Sequence, residues 1–244
     1  MDIKEINSGI DQDTHWYYQS KKLPLFDFFR KLPDDITYDI IDVGSGTGFF
    51  ARIILQEFPT KINKCYLIDI EYTEEEMIAS QNTRLVKQHK IPDTISNTLV
   101  IMMDVLEHLE HDDLMLDSIK KNCIGEHNYF FITVPAFQTL WSQHDVYLEH
   151  FRRYTISSLK NLLDNCKYTY NNIYYLYGTL FPLVFIMRKI ANLLPPKKNY
   201  TSEMQPASPL VNKILYTISA FDANHLKNNK LMGVTCVSHG KIIK

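Results

Sequence analysis

A chain of 244 residues, 45% apolar and 12% aromatic, is long enough to bury a core as one enlarged domain or two small ones. Its 26 Lys+Arg against 28 Asp+Glu give a formal charge of -2, which excludes the global basic field of a non-specific nucleic-acid binder and leaves only local patches. Cys65, Cys123, Cys166 and Cys236 are scattered without a C-x-x-C pair, so neither a zinc site nor a disulfide framework is indicated and a reducing compartment is expected.

Met1 to Glu5 is charged and lacks the apolar run of a secretory signal, and no segment offers the roughly 18 uninterrupted apolar residues of a spanning helix. The nearest, Tyr174 to Met187, is too short and is closed by Arg188 and Lys189. The expected location is the cytoplasm.

In chain order, the first strong signal is Tyr38-Asp39-Ile40-Ile41-Asp42-Val43, an apolar run ending in Gly44-Ser45-Gly46-Thr47-Gly48 and followed by helical spacing at Phe50, Ile53, Ile54 and Phe58. A second run, Cys65 to Ile70, ends on acids, and Thr73-Glu74-Glu75-Glu76 predicts a capped first helical turn. A third, Thr98 to Met103, leads into Asp104-Val105-Leu106-Glu107-His108-Leu109, and a fourth, Tyr129 to Val134, stops at Pro135. Strands apolar throughout and separated by helical stretches predict a doubly wound α/β fold, with a mostly parallel sheet covered on both faces. Ligands bind beyond the carboxyl ends of such strands. The polar groups following each run are therefore the candidate site: the glycine turn, Asp69 and Glu71, the Asp104 to His108 cluster, and the loop from Ala136 to Tyr154.

The glycine turn fits neither common phosphate motif. Phe49 stands where a dinucleotide fingerprint needs its last glycine, and the Gly-Lys-Ser/Thr of a P-loop is absent. Bare glycine backbone lets a ligand lie against the turn, and the carboxylate of Asp69 can accept from both hydroxyls of a ribose. This suits a ligand with an amino-acid end and a nucleoside.

The segment Asp42-Val43-Gly44-Ser45-Gly46-Thr47-Gly48 resembles motif I of the class I S-adenosylmethionine-dependent methyltransferases, and Asp69 matches their ribose-binding acid. Asp104 to Leu109 resembles the segment after strand 4 in the group that includes ubiquinone-biosynthesis O-methyltransferases. His15-Trp16-Tyr17-Tyr18 with Lys21 resembles the N-terminal segment of a bacterial subgroup, where arginine is more usual at the lysine's place. Val134-Pro135-Ala136, Leu140-Trp141-Ser142, Asp145 and His150-Phe151-Arg152-Arg153-Tyr154 are similar to that subgroup's loop after strand 5. The resemblance spans residues 14 to 165, with a weaker echo in the last strand. It implies a seven-stranded Rossmann-like sheet whose final strand is antiparallel. It also implies S-adenosylmethionine as cofactor, contacted by Asp42, Gly44, Ser45, Gly46, Gly48, Asp69, Ile70, Asp104 and Val105. The family's frequent adenine-binding acid after strand 3 has only Asp93 as a counterpart, in an unclear register between Ile91 and Thr94, and Glu71, standing where small residues are common, either bonds the ribose or faces water.

Methyl transfer from a sulfonium asks the protein for alignment and for a base. His150, beside Arg152 and Arg153, is the first candidate and His108 the second, with His144 behind them; a histidine that merely caps its loop is the competing reading for His150. Arg152 and Arg153, together with Lys21, could hold a phosphate or carboxylate of the acceptor, and Trp141 and Tyr154 belong to the same expected substrate site. Trp16, Tyr17, Tyr18 and Trp141 could wall the sulfonium or simply pack. The spacing D-x-x-E-H at Asp104, Glu107 and His108 resembles a divalent-metal motif of some methyltransferases, with His150 as a fourth donor. No metal is assigned, because acids are at home at helix starts.

Lys167 to Tyr174 and Met232 to Ser238 predict the last two strands, and the 55 or so residues between them read as a helical insertion. The expected division is a methyltransferase domain over 1–175 and 232–244 with a lid over 176–231. One helix is expected from about Gly178 to Leu194, then a Pro195-Pro196 break, then a second helix with Ser208 as N-cap, Pro209 in its first turn, and Leu210, Ile214, Ile218 and Phe221 on one face. The first helix is apolar nearly all round, which predicts burial in the core, a long-chain substrate or a membrane surface. The expected partner is a small-molecule or lipid-linked acceptor, with peripheral membrane contact through 178–194 and no nucleic acid. A module that binds the nucleoside without catalysis is the alternative.

Overall fold

The computed structural model describes residues 9–193 and 206–244. A first helix, α1 (Trp16–Arg30), precedes β1 (Tyr38–Val43), α2 (Phe49–Glu57), β2 (Ile62–Ile68), α3 (Glu74–Ser80), β3 (Leu85–Gln88) and β4 (Thr98–Met103). Then follow α4 (Asp112–Asn122), β5 (Asn128–Pro135), α5 (Gln143–Tyr147), α6 (Ile156–Asn165), β6 (Thr169–Leu176), α7 (Phe181–Leu193), α8 (Pro209–His225) and β7 (Thr235–Lys241).

The strands form one sheet in the order β3-β2-β1-β4-β5-β7-β6. Every pairing is parallel except those of β7, which runs antiparallel between β5 and β6. This is the doubly wound α/β sheet expected, with its reversed last strand. β4 is central and buried along its whole length, so its six residues TLVIMM carry no alternation. The two faces are covered by separate cores. One gathers Tyr18, Leu25 and Phe29 of α1 with Phe50 and Ile54 of α2; the other gathers Leu116 and Ile119 of α4 with Leu159 and Leu163 of α6.

Local expectations hold at α3, where Thr73 accepts from the Glu76 amide and Glu76 answers at the Thr73 amide. Four differ. β3 is too short and half-exposed to show in the pattern. The segment after β4 is a single 3-10 turn, Leu106–His108, and the helix begins only at Asp112. Ser208 precedes α8 with no side-chain cap, Pro209 alone setting the first turn. Finally α7 buries none of its residues, and Leu210, Ile214 and Phe221 of α8 point outward. What α8 packs against α1 is its other face, where Asn212 accepts from the Trp16 amide (2.8 Å) and donates to the Thr14 carbonyl (2.8 Å). Leu194 and the Pro195-Pro196 break lie outside the described residues.

Candidate active site

The carboxyl ends of β1, β2, β4, β5 and β6 converge on one edge of the sheet, and the chemistry of the chain collects there. Gly44, Gly46 and Gly48 turn the chain from β1 into α2 with φ of 62°, 53° and 74°. A Cβ on Gly44 would stand 2.9 Å from Val105 Cγ2, and one on Gly48 would stand 2.8 Å from Leu67 Cδ1. Only glycine fits such a cradle, because the left-handed backbone and the lack of space act together.

Asp69, just beyond β2, accepts from the Gly46 amide at 2.8 Å through Oδ2 and from the Glu71 amide at 3.0 Å through Oδ1. Each oxygen retains a second lone pair, so the carboxylate fixes the loop and still has acceptors for a pair of hydroxyls. Ile70 beside it is 84% exposed, an apolar side chain available to a flat ring. Behind the loop, Tyr72 donates to the Gly46 carbonyl (2.7 Å) and meets the Ser45 hydroxyl (2.8 Å). Sequence reasoning missed Tyr72; an aromatic four residues past a strand carries no signal of its own. Asp42 is buried with an amide hydrogen bond from Ala51 at 3.3 Å, and burial pushes its carboxyl up to about 7.

Asp104, at φ 57° after β4, is the centre of a second network. Lys21 of α1 is wholly buried and its ammonium meets Asp104 Oδ2. Tyr17 donates to the same oxygen (2.9 Å) and Thr133 of β5 to the other (2.9 Å). Burial alone would raise the Asp104 carboxyl, but the Lys21 charge outweighs it and holds the group below the usual range. Lys21, expected near an acceptor anion, is thus paired with Asp104, and the Asp104 carboxylate ties α1 to the end of β4. Tyr18 is wholly buried in the core, edge to face with Phe49.

The loop after β5 forms a third network. Asp145, fully buried, accepts from His150 Nδ1 (3.0 Å) and Arg153 Nε (2.7 Å), with Arg188 of α7 at 3.5 Å from its other oxygen. Burial opposes the charged form of Asp145, and the bonds from His150 and Arg153 overcome it and keep the carboxyl low. Arg153 also donates to the Ala136 carbonyl (3.1 Å). Arg152 is held by Asp112 (3.0 Å) and the Glu110 carbonyl (2.7 Å), and the Tyr154 hydroxyl donates to Asp112 (2.6 Å). Arg153 and Tyr154, both expected at the acceptor, are buried, and the Arg152 guanidinium is paired with Asp112. Trp141 stays half-buried, its carbonyl accepting from Asn192 of α7 (2.9 Å).

The Phe151 amide donates to the Glu107 carbonyl (2.7 Å), tying this loop to the turn after β4. That bond brings the His108 and His150 rings edge to face at 4.6 Å. Glu107, His108 and His150 each place one donor atom within 4.8 Å of the others, a set that could receive a cation, whereas Asp104 is engaged elsewhere. Neither carboxylate oxygen of Glu107 has a hydrogen-bond partner among the described residues, and burial, then the Asp104 charge, raise its carboxyl well above the ordinary value. His144 is buried on α5 and stands apart from this set. Non-glycine residues at positive φ, Asp104, Phe137, Glu149 and Tyr177, follow β4, β5 and β6 or flank His150; such backbone is costly and concentrates at functional edges.

Residues 15–170 match the family of the methyltransferase domain. The chain belongs to that family. It is an enzyme of the class I S-adenosylmethionine-dependent methyltransferases, and S-adenosylmethionine is its cofactor. No curated protein sequence matches it. Among solved structures it is similar to an S-adenosylmethionine-dependent methyltransferase from Archaeoglobus fulgidus (14% identity, TM-score 0.55, 97% of each chain). It is also similar to one from Mesorhizobium loti (10%, TM-score 0.54, 95% of this chain and 100% of that one). A third is a Haloferax volcanii methyltransferase solved with the activator Trm112 (14%, TM-score 0.56, 98% and 94%). At these identities the likeness shows the shared fold.

Proposed function

We propose that this methyltransferase transfers its methyl group to an oxygen, in preference to a nitrogen, of a small hydrophobic or glycan- or lipid-linked acceptor, with His150 as general base. The observation that carries this is the Asp145–His150 pair. A buried carboxylate at 3.0 Å from Nδ1 fixes the ring and its tautomer and leaves Nε2 as the face that can take a proton.

The glycine turn fits the cofactor: the positive φ of Gly44, Gly46 and Gly48 bares the loop backbone, Asp69 would accept from the ribose hydroxyls, and Ile70 would lie along the base. Ser45, Asp42 and Val105 complete that wall, and Asp104 backs it from the β4 side. The cofactor supplies a methyl group already activated on a sulfonium. The chain's residues hold the acceptor oxygen in line with it and, as the new C–O bond forms and the C–S bond breaks, pass the acceptor's proton to His150. His108, edge-on to His150, orders the second side of the same pocket. Trp141 borders the acceptor side.

The apolar helix α7 abuts this loop through Arg188 and Asn192, which supports an acceptor carried on a long chain. In this reading the enzyme works in the cytoplasm, at the inner face of a membrane. A non-catalytic module is disfavoured by the intact cradle. The test is His150→Gln, which keeps a donor for Asp145: with alcohol or phenol acceptors on a lipid tail, release of S-adenosylhomocysteine is expected to drop while cofactor affinity is unchanged. Equal turnover would remove His150 from the reaction.

A further inference from the structure

The helix α7 is built inside out. Leu183, Ile186, Met187, Ile190 and Leu193 follow the i, i+3, i+4 spacing of one stripe, and each is more than half exposed. Arg188 and Asn192, on the opposite stripe, face the protein: Arg188 meets the Leu140 carbonyl and Asp145, and Asn192 donates to the Trp141 carbonyl. Phe181 and Phe185 also turn inward, Phe181 lying 5.4 Å from the Phe137 ring. α8 repeats the arrangement. Leu210, Ile214 and Phe221 form an outward stripe, while Asn212 faces α1. A helix that shows water a contiguous apolar stripe, while Arg188, Asn192 and Asn212 turn to the protein, has a partner for that face.

Charge separates the candidate partners. Residues 176–231 contain seven Lys and Arg against two Asp and Glu, in a chain with 26 against 28, so the insertion is strongly basic and the rest is acidic. Lys189 and Lys213 are exposed on these two helices. A second copy seated through the same face would set like charge on like charge. No described helix is long and apolar enough to cross a membrane, and α7 has only 13 residues, which suits lying in the plane of an interface.

We infer that the outward stripes of α7 and α8 seat the enzyme on the surface of an anionic lipid bilayer. Because Arg188 and Asn192 hold α7 to the loop that carries His150, docking presents the acceptor side of the site to the interface. That last consequence rests on the proposed lipid-linked acceptor; the docking surface itself does not.

The test is co-sedimentation of the full chain with phosphatidylcholine vesicles, with and without phosphatidylglycerol. Expected is binding at least about tenfold tighter to the anionic vesicles, weakened by salt. The variant Leu183→Ser/Ile186→Ser/Met187→Ser/Ile190→Ser is expected to lose at least about tenfold of it, and Lys189→Glu/Lys213→Glu to weaken it, both retaining wild-type affinity for S-adenosylhomocysteine. No binding to anionic vesicles overturns the inference. So does equal binding to both vesicle types, equal binding by the serine variant, or a wild-type dimer in sedimentation velocity that the serine variant dissolves. Vesicle binding without any affinity for S-adenosylhomocysteine would instead strike the cofactor site, and failure at vesicles leaves methyl transfer untouched.

Discussion

The buried ammonium of Lys21 on α1 is neutralised by the carboxylate of Asp104, which stands at φ 57° where the chain leaves β4. The pair joins the N-terminal helix to the catalytic edge of the sheet, with Tyr17 and Thr133 completing the shell around the carboxylate.

Removing one partner of such a pair strands a charge out of water, at a cost of about 3–5 kcal/mol. Asp104→Asn is expected to destabilise near the top of that range in urea unfolding, because it strands the wholly buried Lys21 ammonium, and Lys21→Met somewhat less, since the carboxylate it leaves is partly exposed and keeps Tyr17 and Thr133 as donors. The double variant is expected to recover much of the loss, giving a coupling energy of opposite sign to the single losses. Additive losses would show the two charges to be independent.

His150→Gln is expected to lower kcat by about 10²–10⁴-fold, the range of a positioned base, with little change in KM for the cofactor. His108→Gln is expected to cost less, because its ring only flanks that of His150. Asp145→Asn differs in kind. It strips the partner of a buried arginine as well as orienting His150, so a falling urea midpoint should accompany the lost turnover.

Two groups, the buried Asp42 and the half-buried His239, oppose each other in pH dependence. Burial raises Asp42 to about 7, above the roughly 3.9 of an unfolded chain. Its stabilising contribution is present below pH 4 and is lost as the pH climbs through 7. Burial lowers His239, packed on Phe28 at 4.4 Å, to about 4. Its contribution is present above pH 6.5 and is lost as the pH falls toward 4. The two slopes, each up to about 1.4 kcal/mol per pH unit, largely cancel in the wild type. Relative to wild type, Asp42→Asn is expected to gain stability as pH rises from 4 to 7, and His239→Phe to lose it from 4 to 6.5. Urea midpoints across that window check both signs.

Much of the fold was legible because its carriers are local. The apolar runs of β1, β4 and β5 cannot be half-exposed strands, and the glycines after β1 permit one kind of turn. Asp69 was readable for the same reason, standing where the second strand ends. What stayed hidden depends on which neighbour a side chain meets. Arg153 and Lys21 carry charges that suit a substrate, yet each is consumed by a carboxylate distant in sequence or across a loop. Asp145, the group that orients His150, also closes the capping box with Ser142, and its local pattern does not separate the two roles. Helical periodicity showed that α8 has an apolar face and could not show that this face is turned away from the sheet. For α7, which reads as apolar nearly all round, the sequence does not show that Arg188 turns inward to Asp145.

The account stands most directly on calorimetry of S-adenosylhomocysteine against the wild type and Asp69→Ala. Asp69 would make charge-assisted hydrogen bonds worth about 1.5–3 kcal/mol each to the ribose, so one-to-one binding by the wild type and at least about tenfold weaker binding by a still-folded variant are predicted. Equal affinities would contradict it, as would a wild type that gives no heat with the adenosyl ligand while binding a nicotinamide dinucleotide.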